Sequence, residues 1–290
     1  MQPNPNTGTL YIVGTPIGNL EDMTYRAIRI LQTADFIAAE DTRHTGKLLH
    51  HFQIKTPQIS YHEHNQQQRL PEFIDKLLLG KSIALVTDAG MPGISDPGYE
   101  LVKACADANI NIIPIPGPSA CIVGISASGL PTDRFVFEGF LPTKGQERQR
   151  SLESVQIESR TIILYESPHR LRQTLQDLAN TLGNDRQIVL ARELTKMHEE
   201  FWRGSIESAI ALYTTREPQG EFTLIIAGIQ TDAPIFSEEA IKAELQTLIG
   251  EGISRSQASR QLAQQTSLPR RQIYQLALTL DDSESPEQLP

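Results

Sequence analysis

Apolar and polar positions divide the chain into short buried runs that end in glycine and proline, each followed by a stretch with helical spacing. Ile83, Ala84, Leu85 and Val86 are four apolar residues in a row, the pattern of a strand covered on both faces. The run stops at Thr87 and Asp88, and Gly90, Pro92, Gly93, Asp96, Pro97 and Gly98 follow before an amphipathic pattern resumes at Tyr99. Glycines let a backbone approach a ligand closely and prolines stiffen it, so this loop predicts a small-molecule site at the carboxyl end of a strand.

The same sentence is written elsewhere in the first half. Leu10, Ile12 and Val13 predict a strand broken by Gly14, Pro16 and Gly18, after which Asp22 or Thr24 caps a helix carrying Ala27, Ile28, Leu31 and Ala34. Asn111 to Ala120 predicts a strand running into PGPSA, with Ser119 and Ala120 opening the helix ACIVGISASG and its amides exposed to an anion. Phe36 to Thr45 predicts a short strand ending in Glu40, Asp41, Arg43 and His44, where Asp41 could instead cap the helix TRHTGKLLHHF. QISYHEHN predicts a third strand with His62 and His64 on one face and Glu63 on the other, a pair with no third metal ligand at a telling spacing. Such strand ends converge on one edge of a parallel open sheet.

In the second half FVFEGFL, RTIILYE, RQIVLARE and GEFTLIIAG predict strands, with PHRLRQTLQDLANTL and SIESAIALYTT as helices between them, so the alternation repeats. Polar groups gather at three strand ends: Glu166, Ser167, His169 and Arg170; Arg192, Glu193, Thr195 and Lys196; Gly220, Glu221 and Thr223. QTDAPIFSEE predicts a linker. Three helices follow, AIKAELQTLIGEG, SRSQASRQLAQQ and RRQIYQLALTL, the last preceded by Pro269 with Ser267 as its cap. The last two resemble a helix-turn-helix with Arg270, Arg271 and Gln272 at the start of its second helix. DDSESPEQLP predicts a disordered acidic tail.

Composition narrows the classes. The 290 residues are 39% hydrophobic and 21% charged, an ordinary globular balance, and no run approaches the roughly 20 apolar residues of a membrane span. MQPNPNTG lacks the basic and apolar regions of a secretory signal, so a cytoplasmic location is expected. The only cysteines, Cys105 and Cys121, lie among small apolar neighbours and predict buried free thiols. A net charge of −9 argues against nonspecific coating of nucleic acid and leaves local contact with RNA open.

GTLYIVGTPIGNLEDMTYRAI, AEDTRHT, VTDAGMPGISDPG, PIPGPSA, GLPTDRFVFEGFLP, YESPHRL, ARELTK and GEFTLII together resemble the ribosomal-RNA 2'-O-methyltransferase branch of the tetrapyrrole methylase superfamily, over roughly residues 8–228. The resemblance implies an α/β, two-domain tetrapyrrole-methylase-like fold with the cofactor cleft between the domains (8–118 and 119–230), a small all-α helix-turn-helix-like module (231–280) and a tail (281–290). It implies S-adenosylmethionine as cofactor, no metal, a homodimer, and a cytidine 2'-hydroxyl of small-subunit ribosomal RNA, free or in the assembled subunit, as acceptor. By position, it places the cofactor against Gly14, Pro16, Asp88, Ala89, Gly90, Asp96, Pro118, Ser119, Ala120, Leu164, Tyr165, Glu166, Phe222 and Thr223. The loop GTPIGN departs from the more glycine-rich GxGxGD of tetrapyrrole-synthesising relatives, which counts against a porphyrin acceptor.

Methyl transfer to a ribose hydroxyl requires alignment and benefits from a general base. Glu40, Asp41, His62, His64 and Glu166 qualify by position, with Glu40, Asp41 and Glu166 first. Arg43, Arg170, Arg192 and Lys196 would hold phosphates or the cofactor carboxylate, and His62, His64 and His169 complete the expected substrate side. Two alternatives stand beside this reading: a tetrapyrrole methyltransferase and a ligand-responsive DNA-binding regulator.

Overall fold

A computed structural model describes residues 7–229, 238–266 and 268–280. The chain forms two compact units, 1–229 and 230–290. The core of the expected linker (230–237), the expected cap Ser267 and the expected tail (281–290) lie outside the described residues.

The first unit opens with β1 (Thr9–Val13), α1 (Tyr25–Thr33), β2 (Phe36–Ala39), α2 (Thr42–His51), β3 (Gln58–Ser60), α3 (Gln66–Leu78), β4 (Ile83–Val86), α4 (Tyr99–Asp107) and β5 (Asn111–Ile115). These strands form a parallel sheet in the order β3-β2-β4-β1-β5. Alternate side chains of β4 face opposite sides. Ile83 and Leu85 pack with Phe73, Leu77 and Leu101 of α3 and α4, while Ala84 and Val86 pack with Ala27, Leu31 and Leu49 of α1 and α2. Helices therefore cover both faces, which is why β4 reads as an unbroken apolar run. Thr24 is the cap of α1, its hydroxyl accepting the Ala27 N–H at 3.1 Å.

The third strand is shorter than expected. β3 pairs only with β2, and that ladder ends at Ala39 and Ser60. His62, Glu63 and His64 lie beyond it in the approach to α3, where the Asn65 side chain accepts the His62 N–H at 2.9 Å. The two histidines are thus not partners on one strand face, although their rings remain 6.0 Å apart.

A second sheet is built from β6 (Phe135–Phe140), β7 (Thr161–Glu166), β8 (Gln187–Arg192), β9 (Glu200–Ser205) and β10 (Phe222–Ile226), in the order β6-β7-β10-β8-β9. Only β6 and β7 run parallel; the other pairs are antiparallel. The expected repeat of the first half's alternation fails here because β9, EFWRGS, is hidden in sequence. It is an edge strand with no buried position. α6 (Gly145–Gln156), α7 (Pro168–Leu182) and α8 (Ile206–Thr215) cover one face of this sheet around Leu164, Leu190 and Leu224. α5 (Ala120–Ser128) covers the other, with Cys121 and Ile125 against Ile163, Val189 and Ile225.

The second unit contains α9 (Glu238–Gly250), α10 (Arg255–Gln265) and α11 (Arg270–Leu278) around Ile241, Leu245, Leu262, Ile273 and Ala277. Ser254 caps α10, and Pro269 is the residue before the first turn of α11.

Close backbone approach joins the first and last loops of the parallel sheet. The Gly14 N–H donates to the Ile115 carbonyl at 3.2 Å, and a Cβ on Gly14 would lie 2.7 Å from the Gly117 Cα. Gly14→Ala is therefore expected to destabilise the protein by about 1–3 kcal/mol, read as a lower denaturant midpoint at unchanged slope. An unchanged midpoint would show that the loops move apart freely.

Candidate active site

The loops after β1 and β4 are fastened to each other through backbone. The Thr15 N–H donates to the Gly90 carbonyl at 2.9 Å, the Gly90 N–H returns to the Thr15 carbonyl at 3.1 Å, and the Thr15 hydroxyl donates to the Thr87 carbonyl at 3.1 Å. Gly90 and Gly93 have φ of 80° and 82°, conformations natural to glycine, but Ser95 at 62° is held there against its preference.

A cavity of about 420 Å³ lies where this edge meets β7, β8 and β10. Of the residues expected to hold the cofactor, Ala89, Gly90, Asp96, Ser119, Ala120, Tyr165, Glu166, Phe222 and Thr223 line it. The Tyr165 oxygen accepts the Cys121 N–H at 3.0 Å, so a phenol already meets one of the helix-start amides expected to receive an anion. Burial pushes the Tyr165 phenol above its ordinary range.

Three of the expected residues do not line this cavity. Leu164 alternates with Tyr165 along β7, so its side chain is fully buried in the opposite face of the sheet. Gly14 and Pro118 shape the loops from behind and do not line the cavity. Conversely, Ile17, Met91, Phe140 and Leu194 do line it and were not foreseen, because apolar residues in such loops read like core.

A second cavity, of about 460 Å³, adjoins the first and shares Ile17, Ala89 and Glu221 with it. Its other walls include Pro16, Gly18, His44, Lys47, Asp88 and Lys196. Pro16 and Asp88 thus belong to this chamber. Lys196 is held by Glu193 at 2.8 Å and Glu221 at 2.9 Å, and the backbone of Gly18 packs directly on its side chain. Glu193 and Thr195 adopt φ of 52° and 64°, so a strained turn aims this lysine.

Carboxylates tie the ends of β2 and β4. The Asp88 N–H donates to Glu40 Oε2 at 3.2 Å, and the Asp41 N–H donates to Asp88 Oδ1 at 3.2 Å. Burial raises the Glu40 pKa, with Asp88 and Asp41 adding to the rise and the Asp88 amide and His62 opposing it. Asp96 is pushed up to about 7, first by burial and then by the charges of Glu40 and Asp88. Asp41 goes the other way. It caps α2 through the Arg43 N–H at 2.8 Å and pairs with the Arg43 guanidinium, which together hold its carboxyl far below the usual range. That engagement ties Asp41 and Arg43 to each other.

Glu166 is likewise committed. Its side chain is 1% exposed and accepts the Ser167 N–H at 2.8 Å and the Thr174 hydroxyl at 2.6 Å. Thr174 in turn accepts from Arg148, which is ion-paired to Asp177 at 2.7 Å. Glu166 therefore anchors α7 to β7, with both oxygens accepting hydrogen bonds. Arg170 donates to the Leu141 and Pro142 carbonyls, and Arg192 to those of Gln219 and His198. Arg170 also pairs with Glu166 at 3.6 Å and Arg192 with Glu200 at 3.7 Å, and neither arginine lines either cavity. His169 and His64 are exposed and His62 half-buried, all outside both cavities.

Comparison with known proteins places this architecture. The profile of the Tetrapyrrole (Corrin/Porphyrin) Methylases matches residues 9–210. A ribosomal RNA small subunit methyltransferase I of Synechocystis is 62% identical over 94% of this chain and 99% of its own. Proteins of the same name from Halalkalibacterium halodurans and Escherichia coli O157:H7 are 47% and 48% identical, over 95% and 81% of this chain and 96% and 83% of their own. Among solved structures, diphthine synthase superposes with a TM-score of 0.60 at 13% identity, covering 76% of this chain and 90% of its own. A uroporphyrin-III C-methyltransferase from Thermus thermophilus, complexed with S-adenyl homocysteine, superposes with a TM-score of 0.53 at 16% identity, covering 75% and 97%. At these identities the superpositions speak to the fold.

Asp96 provides a direct check of the site's electrostatics. Its folded pKa lies above the ordinary 3.8, so its contribution to stability is largest below about pH 4 and is lost as the pH rises toward about 7. Asp96→Asn keeps the neutral form and is expected to gain in thermal midpoint relative to the parent as pH rises from 4 to 8. Midpoints that stay parallel across that range would refute the raised pKa.

Proposed function

Since the chain belongs to the tetrapyrrole (corrin/porphyrin) methylase family, we propose that it methylates the 2'-hydroxyl of a cytidine in small-subunit ribosomal RNA, using S-adenosylmethionine. The relatives named for small-subunit ribosomal RNA methylation, at 45–62% identity over nearly their whole length, support the polymer and the reaction class. The observation that carries the reading is the pair of adjoining cavities: one is lined by apolar groups, backbone and the carboxyl groups of Asp96, Glu166 and Glu221, the other carries Lys47 and Lys196 beside Asp88, and only Ile17, Ala89 and Glu221 are common to both.

The first cavity fits the cofactor. Its volume is within the range of small-molecule sites, Ile17, Met91 and Phe222 offer apolar walls to a purine, and Asp96 and Ser119 offer polar groups to hydroxyls. When bound, S-adenosylmethionine supplies an electrophilic methyl group. The chain's own residues then have two tasks. The Thr15–Gly90 clamp fixes the loop that separates the cavities, and such positioning supplies on the order of 7–11 kcal/mol in well-oriented reactions. In the second cavity, Lys47 and His44 face a nucleotide's phosphate, and the Asp88 carboxylate receives the hydroxyl proton. Glu40 accepts the Asp88 backbone N–H and so helps to position Asp88.

Asp88→Asn and Glu40→Gln are each expected to lower kcat by about 100-fold or more while cofactor affinity, measured calorimetrically, changes less than threefold. Lys47→Ala is expected to raise KM for RNA and spare kcat. Retention of turnover by both carboxylate variants would overturn the base assignment. Mass mapping of 2'-O-methyl nucleotides in ribosomal RNA, with and without the protein, tests the acceptor. An unchanged pattern would overturn the activity itself.

A further inference from the structure

We propose that α10 and α11 form an RNA-docking surface, separate from the methyl-transfer site, that grips the phosphate backbone of the substrate RNA. From Gly252 to Leu280 the sequence holds Arg255, Arg260, Arg270 and Arg271 and no aspartate, glutamate or lysine, within a chain whose net charge is −9. α9, packed against the same core, is acidic at its start with Glu238 and Glu239. The arginines of this unit therefore all lie on one helical hairpin, while the single lysine of α9, Lys242, is paired with Glu238.

Packing decides which way that hairpin faces. Ala258 and Leu262 of α10 and Ile273 and Ala277 of α11 are buried in the unit's core. Spacing of three and four residues then leaves Gln257 and Arg260 on the exposed side of α10, and Arg270, Arg271, Tyr274 and Gln275 on the exposed side of α11. Tyr274 is 39% exposed, so its ring lies at the surface beside the arginines and is not sealed in the core. Arg270 donates to the Ser256 hydroxyl at 2.9 Å, which links the start of α11 to α10 and holds this guanidinium in place with further N–H donors.

Guanidinium groups bind phosphate through two parallel hydrogen bonds, side-chain amides pair with sugar and base edges, and a surface phenol stacks on an unpaired base. The surface carries all three and no carboxylate to repel a polyanion. The choice of RNA over duplex DNA rests on the activity proposed above. DNA is the competing outcome.

The test uses the full-length protein and a fluorescently labelled RNA hairpin without a cytidine in its loop, so that binding is read without turnover. Anisotropy titrations between 50 and 300 mM KCl give the slope of log Kd against log salt. Arg270→Ala/Arg271→Ala is expected to weaken binding at least tenfold at 100 mM and to reduce the slope by about 1.4–1.8, the loss of two phosphate contacts. Arg260→Glu, on the other helix, is expected to weaken binding as well, while Lys242→Ala on α9 leaves affinity and slope unchanged. Equal affinity and slope for the parent and the arginine variants, with thermal midpoints also equal, would overturn the proposal. So would tighter binding of a DNA hairpin of the same sequence. Hairpin binding that depends on Arg270 and Arg271 would support this surface even if ribosomal RNA methylation failed, so the two proposals fall separately.

Discussion

The peptide groups of Thr15 and Gly90 exchange two hydrogen bonds at the carboxyl edge of the parallel sheet, and the site is arranged around that exchange. Neighbouring strands β1 and β4 already run side by side, but their loops would diverge without this bridge. The bridge sets Ala89 and Ile17 between the two cavities. It demands a positive φ at Gly90, and it works together with the contact of Gly14 on Gly117, where neither residue has room for a side chain. Rigid backbone, not side-chain chemistry, is thus what separates the two cavities.

Electrostatics then divides the acidic groups between building and chemistry. Asp41 and Glu166 have their oxygens taken by a helix start, a hydroxyl or an arginine, so their charge is compensated locally. Glu40 and Asp96 are partly desolvated near Asp88 with fewer partners, and both are pushed toward holding a proton. Asp96, pushed up to about 7, can exchange a proton near neutrality. Asp41 and Glu166 hold the second sheet's helix and the end of β2 in position.

How much of this was legible from residues alone depended on periodicity and on chemistry being local. The parallel sheet could be read because β4 and β1 combine apolar runs with glycine and proline stops, and the walls of the first cavity at Ala89, Gly90, Asp96, Ser119 and Ala120 sit in the stops that follow its strands. β9 could not be read, since EFWRGS lies on an edge and has neither an apolar run nor strict alternation. The roles of Arg170 and Arg192 were hidden for a different reason. A guanidinium near a strand end looks the same whether it awaits a phosphate or serves carbonyls brought from other segments, as it does here with Leu141 and Gln219. Ile17 and Leu194 were invisible because an apolar wall of a cavity and an apolar wall of a core are written in the same letters.

Cys121 sits at the first turn of α5, its amide held by Tyr165 and its thiol packed against the second sheet. Burial raises the Cys121 thiol to about 11 and that of Cys105, under the parallel sheet, to about 12. Reaction requires the thiolate, so both sulfurs are chemically silent while their surroundings are intact. The chain consequently carries two built-in clocks, one per sheet, whose alkylation times record how often each lobe opens to solvent.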